Sequence, residues 1–523
     1  MSQKNPFGML HARQIIWLIA SSVLAGTLFL ILFTKLHLIF LTGPLLLFIL
    51  VAIDTFQTKH SVRKNYPLIG RLRYFFESVR PEFRQYFFEG ELDGKPFNRR
   101  QRSIVYQRAK NEKQTISFGM QDEPNRIGYE WAAHSVYPKV NDFSQFRTLI
   151  GNSQCKQAYS ASVFNISAMS YGALSKTAIS SLNEGAKLGN FAHNTGEGGI
   201  SDYHLKGGDL IWQIGTGYFG CRDDKGFFND ALFTERANYK EVKMVEIKLS
   251  QGAKPGHGGL LPAEKNTPEI AKIRAIQPHT TVHSPSGHSA FSNATELLYF
   301  LNKLRTLSNG KPIGFKICIG KKQEFVDIVE AMLATNIIPD FITVDGAEGG
   351  TGAAPLEFID YMGMALQDAV VLVNQVLKDY GLRKDIKILA SGKIISAFDI
   401  AKTMALGADA CYSARGMMFA LGCIQALQCD SGKCPVGIAT QDKSLYKGLD
   451  VTDKRVRVAN FHKNTLKALS EFIGACGYEN PEEISADTFF RRINENTNAS
   501  FKDIYFSQVE KEKIQLQEKI YLN

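Results

Sequence analysis

At 523 residues, 44% of them hydrophobic, the chain can bury a large core and hold more than one structural unit. Much of its formal net charge of +10 sits between Arg63 and Lys113 with no recognition module beside it. That argues against nucleic acid as a partner and for a solvated or lipid-headgroup-facing surface. Cys155, Cys221, Cys318, Cys411 and Cys476 are scattered, which fits reduced cytosolic thiols rather than a disulfide framework.

Residues 15–33 are nineteen uncharged, mostly apolar residues in a row. As a helix they span roughly 28 Å at about 1.5 Å per residue, close to the hydrocarbon thickness of a bilayer. A second apolar run, 38–53, is interrupted by Gly43-Pro44, and residues 34–37 leave room only for a tight hairpin. A signal peptide would show a small-residue cleavage site and would not lead straight into a second apolar run. The pattern predicts a two-helix transmembrane anchor over 1–58. Lys4 and Arg13 precede it, and Lys59, Arg63 and Lys64 follow. Both ends and the large domain are therefore expected on the cytoplasmic side of the membrane.

Residues 59–150 form a polar, aromatic-rich helical and linker region in which YPLIGRLRYFF and RPEFRQYFF read as helices. From about 160 onward, short β-rich runs alternate with helical stretches. Candidate strands fall at 163–169, 191–194, 242–249, 280–283, 313–317, 341–344, 386–390 and 410–413. Eight such units predict an α/β fold, a (β/α)8 TIM barrel over 151–445; a doubly wound open sheet is the alternative. Residues 446–523 read as a C-terminal helical extension, ending from 494 in a peripheral helix or mobile end.

Such a barrel places its reactive groups at the C-terminal ends of its strands. Those ends carry Ser170, Glu197, Lys254, His283-Ser284, Lys316, Asp345, Ser391-Gly392-Lys393 and Arg415-Gly416. The last two sets follow strands seven and eight, where barrels commonly bind a phosphate. Gly392 and Gly416 permit close backbone approach, and Lys393 or Arg415 can neutralise a dianion; an ordinary turn with a surface base is the plain alternative. Gly215, Gly217 and Gly220 spell G-x-G-x-x-G, but without a convincing strand before or a long helix after, so no dinucleotide site is expected there.

The segment GCIQALQCDSGKCPVGIATQ places Cys423, Cys429 and Cys434 within twelve residues, spaced C-x5-C-x4-C. Three soft thiolates without an obvious fourth suit a cuboidal iron–sulfur cluster lacking one iron corner. Chance thiols on a loop, or a zinc site completed by a distant His, remain open on spacing alone.

The run CPVGIATQ (434–441) resembles the cluster loop of the glutamate synthase family, in its FMN- and 3Fe–4S-binding synthase domain. ISAMSYGALS (166–175), NTGEGG (194–199), QGAKPGHGG (251–259), DGAEGGTGAAP (345–355) and NFHKNTLKAL (460–469) agree with it in order. The resemblance implies the barrel, FMN, and a 3Fe–4S cluster on Cys423, Cys429 and Cys434. It implies FMN phosphate binding by Ser391, Gly392, Lys393, Arg415 and Gly416. The isoalloxazine would pack on Ala168, Met169 and Ser170, with Lys316 near the flavin carbonyl region. It also implies a 2-oxoglutarate pocket of Glu197, Lys254 and Arg274, with Glu197 and Lys254 catalytic. The chain departs from the family at His257 and Leu260, where Glu and Gln are usual, which opens the identity of the oxo acid.

The expected activity is an oxidoreductase acting on CH-NH2 donors, making glutamate through 2-iminoglutarate. No glutaminase domain is expected before 150. Ammonia would come from outside, and electrons from a ferredoxin, a separate reductase subunit or a membrane carrier. The alternatives are another 2-oxo or imino acid, or a membrane electron-transfer or redox-sensing module without turnover. The sequence gives no oligomeric state.

Overall fold

The computed structural model describes residues 11–34, 37–112 and 114–507. Lys4, Lys35, Leu36, Lys113 and the expected tail beyond 507 lie outside them. The chain divides into two compact units, Met1–Arg99 and Arg100–Asn523.

In the first unit the apolar runs form helices Ala12–Thr34 and Thr42–Phe56, joined through a 3-10 turn at Leu38–Leu41. Two spans, Ala12–Thr34 and Leu38–Phe56, are long and apolar enough to cross a membrane. Trp17 pins them together: its indole N–H donates to Thr55 Oγ1 at 2.9 Å, and its ring meets Phe48 edge-on at 5.2 Å. Asp54, fully buried at the end of the second helix, accepts from Arg63 Nε at 2.9 Å, Arg71 Nε at 2.7 Å and the Leu68 N–H at 3.1 Å. This clamp fixes how the chain leaves the helix pair.

The second unit is built on a closed barrel of eight parallel strands. They are β1 (Phe164–Ile166), β2 (His193–Asn194), β3 (Leu210–Ile214), β4 (Val242–Lys248), β5 (Ile313–Ile317), β6 (Phe341–Asp345), β7 (Lys387–Ser391) and β8 (Ala410–Ser413). The circle closes where Cys411, Tyr412 and Ser413 pair with Phe164, Asn165 and Ile166. The (β/α)8 expectation holds, with one exchange among its strands. Residues 280–283 are not part of the barrel: Val282–His283 pairs antiparallel with Leu260–Leu261 outside it. The missing member is β3, whose five residues are all buried. LIWQI shows no apolar–polar alternation, whereas TTVH carries a denser β-branched signal without the burial. As a result His283-Ser284 is not a strand end, and a strand does precede Gly215.

Inward-facing side chains form layers, as the two-residue strand period requires. At the N-terminal end, Ile211, Met244, Phe341, Leu389, Ala410 and Tyr412 make an apolar floor. The hairpin of Arg147–Ile150 and Tyr159–Ser162 closes it with Ile150, Ala161 and Tyr159. Above lies a polar layer, in which the fully buried Glu246 accepts from Asn194 Nδ2 at 2.8 Å, Gln213 Nε2 at 2.6 Å and the Thr343 hydroxyl. The third layer opens at the mouth. On the outer face, Val451–Ala475 packs against Lys176–Gly189, where a Cβ at Gly185 would meet Val458 Cγ1 at 2.6 Å.

Asp340 ties the floor together. Fully buried, it accepts from Arg305 Nη2 at 3.0 Å and from the Asn152 and Ile313 N–H groups at 2.9 and 2.8 Å. Replacing Asp340 with Ala strands a buried guanidinium and two amides, so unfolding of the barrel is expected to become easier by about 3–5 kcal/mol. Denaturant titration followed by Trp212 fluorescence measures it.

Candidate active site

Four of the predicted residues meet at the barrel mouth around an ion pair that the sequence reading did not include. Lys248, the last residue of β4, donates to Glu197 Oε1 at 2.7 Å. Burial works to raise the Glu197 carboxyl, but Lys248, with Lys254 and Lys316 behind it, outweighs this and holds it below the ordinary range. Burial pulls the Lys248 and Lys254 ammonium groups down, with Glu197 opposing both shifts. Lys248 is set in turn by His288. Tyr218 OH accepts from the Ala290 N–H at 3.1 Å and so donates to His288 Nδ1 at 3.1 Å, leaving His288 Nε2–H for the Lys248 carbonyl at 2.9 Å.

Lys254 is buried on the loop after β4, where Gly252 is indispensable: a Cβ there would run into the Gly346 carbonyl. Arg274 closes the helix Pro268–Arg274 and is also buried. Its Nη2 donates to the Tyr171 carbonyl at 3.0 Å and its guanidinium lies 5.1 Å above the Phe219 ring, while Nε is buried without a protein partner. Burial lowers this guanidinium to about 10, with Glu197 opposing. A narrow cleft is lined by Glu197, Thr216, Lys248, Ser250 and His257 among others.

Lys316 faces Asp345 at 3.8 Å across β5 and β6. Asp345 also accepts the Gly252 N–H at 2.9 Å, joining this pair to the Lys254 loop. Ala168, Met169 and Ser170 follow β1 directly, with the Met169 N–H on the Asn194 carbonyl at 3.3 Å. A Cβ at Gly196 would press on the Ser170 nitrogen at 2.8 Å, so the Glu197 loop lies against this segment.

On the adjoining strands, Ser391 Oγ is 3.3 Å from Ser167 Oγ. Gly392 lies beside Leu366 and Glu348. Lys393, at φ +50°, acts electrostatically on Glu348. Arg415 Nη2 donates to the Glu348 carbonyl at 2.6 Å, and burial lowers it to about 10. A Cβ at Gly416 would strike Ser413 Oγ. Because β7 pairs with β8 through Ser391 and Tyr412, the two expected phosphate turns are neighbours. Glu348, absent from the sequence reading, joins them; burial raises its carboxyl although the Leu366 N–H opposes the shift. Its glycine-rich surroundings concealed it.

The cysteine loop leaves the helix Arg415–Leu421 directly. Cys423, Cys429 and Cys434 act electrostatically on one another, and burial pushes the Cys423 thiol up to about 12. Among the described residues no three His, Cys, Asp or Glu side chains converge as on a single metal ion. The loop is held at several points: Tyr106 OH donates to the Cys423 carbonyl at 2.6 Å, Lys265 to the Cys429 carbonyl, and Gln441 to the Leu174 carbonyl at 2.9 Å.

A parallel barrel with buried cations and carboxylates gathered at the C-terminal ends of its strands has the architecture of a (β/α)8 enzyme. Residues 110–479 match the family model described as the conserved region in glutamate synthase. The chain is 37% identical over 487 residues to the glutamate synthase large subunit-like protein YerD of Bacillus subtilis, covering 85% of this chain and 92% of that one. It is 36% identical over 321 residues to the archaeal glutamate synthase (NADPH) of Methanocaldococcus jannaschii, covering 61% of this chain and 60% of that one. Among solved structures, the recombinant flavin-binding domain of baker's yeast flavocytochrome b2 superposes with a TM-score of 0.42 at 11% identity, over 83% of this chain and 90% of that one. That likeness is too slight to bear on function. The chain belongs to the glutamate synthase family, and is an oxidoreductase.

Glu197→Gln removes the main carboxylate acting on Lys248, so the Lys248 ammonium is expected to titrate at lower pH than in the parent. NMR of 13C-dimethylated lysines, with Lys248→Arg to assign the resonance, follows the shift; an unmoved titration would detach Lys248 from Glu197.

Proposed function

We propose that the chain reductively aminates 2-oxoglutarate to glutamate through 2-iminoglutarate, holding FMN and a 3Fe–4S cluster, anchored to the cytoplasmic membrane by its N-terminal helices. Ammonia and electrons come from outside the chain, the electrons from a ferredoxin or a reductase subunit. The observation that carries this reading is the charge balance at the mouth. Among the described residues, Lys248, Lys254, Lys316, Arg274 and Arg415 face Glu197, Asp345 and Glu348. Inside low-dielectric walls such a surplus favours anions, and a dicarboxylate and a flavin phosphate are both anions.

The residues fit FMN. Gly392 follows β7 and Gly416 lies in the first turn of the helix after β8, with Lys393 and Arg415 beside them, for the phosphate. Lys316 and the segment Ala168, Met169, Ser170 serve the ring. Cys423, Cys429 and Cys434 supply three soft donors on one loop, the chemistry an iron–sulfur cluster takes. When bound, FMN supplies hydride chemistry and the cluster one-electron transfer.

Lys254 and Arg274 hold the substrate carboxylates; the unpartnered Nε of Arg274 is a donor ready for one of them. Glu197, held ionised by its lysines, draws ammonium to the mouth and assists proton transfer during amination. Lys254, its proton loosened by burial, returns a proton to the hydroxyl that leaves as water when the imine forms. One observation favours a different 2-oxo acid: His257 lines the cleft, with its ring 5.7 Å from Phe358.

Anaerobic reoxidation of the reduced purified protein tests the reading. Added 2-oxoglutarate with ammonium should restore the oxidised flavin spectrum. Faster restoration by another oxo acid selects the second reading, and restoration by none selects a module without turnover. Arg274→Met should lower kcat/KM about 10- to 150-fold, the weight of one charge-assisted hydrogen bond of about 1.5–3 kcal/mol. Cys429→Ala should strip iron while FMN stays bound; unchanged iron content would remove Cys429 from the ligand set.

A further inference from the structure

Beyond the apolar helix pair, the first unit carries a helix whose oily face is bare. In Ile69–Phe83, at about 100° per residue, Ile69, Leu72, Phe75, Phe76, Val79 and Phe83 fall within one arc of roughly 120°. All but Val79 are exposed, from 51% at Phe83 to 61% at Phe76, and Phe87 in the following turn reaches 75%. Single exposed apolar residues are ordinary; a continuous stripe of large ones marks a contact surface. Arg73 and Arg80 stand along one border of the stripe, with Arg84 next in the turn.

We infer that residues 69–88 form an interfacial element that lies on the bilayer with its phenylalanine face in the acyl boundary and Arg73, Arg80 and Arg84 on anionic phosphate headgroups. The inference rests on the membrane reading of the two preceding helices. Two features favour lipid over a protein partner. The first is continuity: Asp54, at the end of the second apolar helix, holds Arg71 of this helix at 2.7 Å and Arg63 of the connection between them, so the stripe is fixed to the helix pair. The second is charge placement. Arginine stems extend along an apolar face while their guanidinium groups reach phosphate, and arginines bordering a phenylalanine stripe match the layering of an interface. A protein groove would give the aromatic stripe pockets but would not call for a one-sided basic border.

The full-length chain in proteoliposomes tests it. Phe76→Trp reports from the apolar face and Ser78→Trp from the polar face, each read as emission added to that of Trp17, Trp131 and Trp212. Lipids brominated high in the acyl chain should quench the Phe76→Trp emission several-fold more than that of Ser78→Trp. Replacing phosphatidylcholine with phosphatidylglycerol should deepen the difference, and the triple change Arg73→Gln, Arg80→Gln, Arg84→Gln should abolish that dependence on anionic lipid. Equal quenching at the two positions, or none at Phe76→Trp, overturns the inference. Extraction at alkaline pH, run on the parent chain in the same vesicles, separates the readings: release of the chain sinks the anchor, whereas retention with unquenched Phe76→Trp sinks only the interfacial helix.

Discussion

The carboxylate of Glu246, with no solvent exposure in the middle of the barrel, constrains everything above it. A buried carboxyl group must have its lone pairs filled, and each donor left unmade costs about 1–3 kcal/mol. Asn194 and Gln213 therefore turn their amide NH2 groups toward it. With its NH2 committed, Asn194 can offer only its oxygen upward, where Oδ1 accepts the Gly196 N–H at 3.1 Å. The Gln213 backbone N–H in turn donates to Thr195 Oγ1 at 3.1 Å. The chain leaving β2 thus has one direction, and it delivers Glu197 over the barrel. Glu246 and Lys248 are two residues apart on one strand and face the same interior, so the strand that seats the buried carboxylate also brings the lysine to Glu197.

The same layering explains what could be read beforehand. The barrel was legible because seven of its strands are short apolar runs bounded by turn residues. β3 was not, because Leu210–Ile214 is buried on every residue and shows no apolar–polar alternation. Glu197, Lys254 and Arg274 were legible through motif resemblance, with their polar residues set among glycines. Lys248 was not: in VKMVEIK it reads as a strand residue like Lys243, and only closure of the barrel shows that 244, 246 and 248 point inward while 243 does not. His288 and Glu348 act through a carbonyl and a junction of three strand ends. Such roles arise from contacts far apart in sequence, which local pattern does not encode.

Electrostatics at the mouth follow from burial more than from pair count. Desolvation weakens the hold of Lys248, Lys254, Arg274 and Arg415 on their protons, and nearby carboxylates restore part of it. The carboxylates divide by environment. Glu197, beside three lysines, is held ionised, while burial raises the Glu348 carboxyl against the Leu366 N–H and Lys393. Two carboxyl groups on one rim thus lean in opposite directions, one set by neighbouring ammonium groups and the other by burial.

The cysteine loop obeys the rule that irregular backbone needs partners outside itself. It has no helix or strand between Gly422 and Lys443, yet it is tied on three sides. Tyr106 grips its start, Lys265 its middle, and Ser175 its end through the Gly437 carbonyl at 2.7 Å. Two of these ties reach back to the mouth: Lys265 lies just ahead of the helix that ends in Arg274, and Ser175 caps the helix that follows Ala168, Met169 and Ser170. The three thiols are therefore held by the same segments that shape the expected substrate and flavin walls. Lys265, its ammonium lowered by burial and supported by Cys429, Asp430 and Cys434, places a positive charge where ionised thiolates would concentrate negative charge.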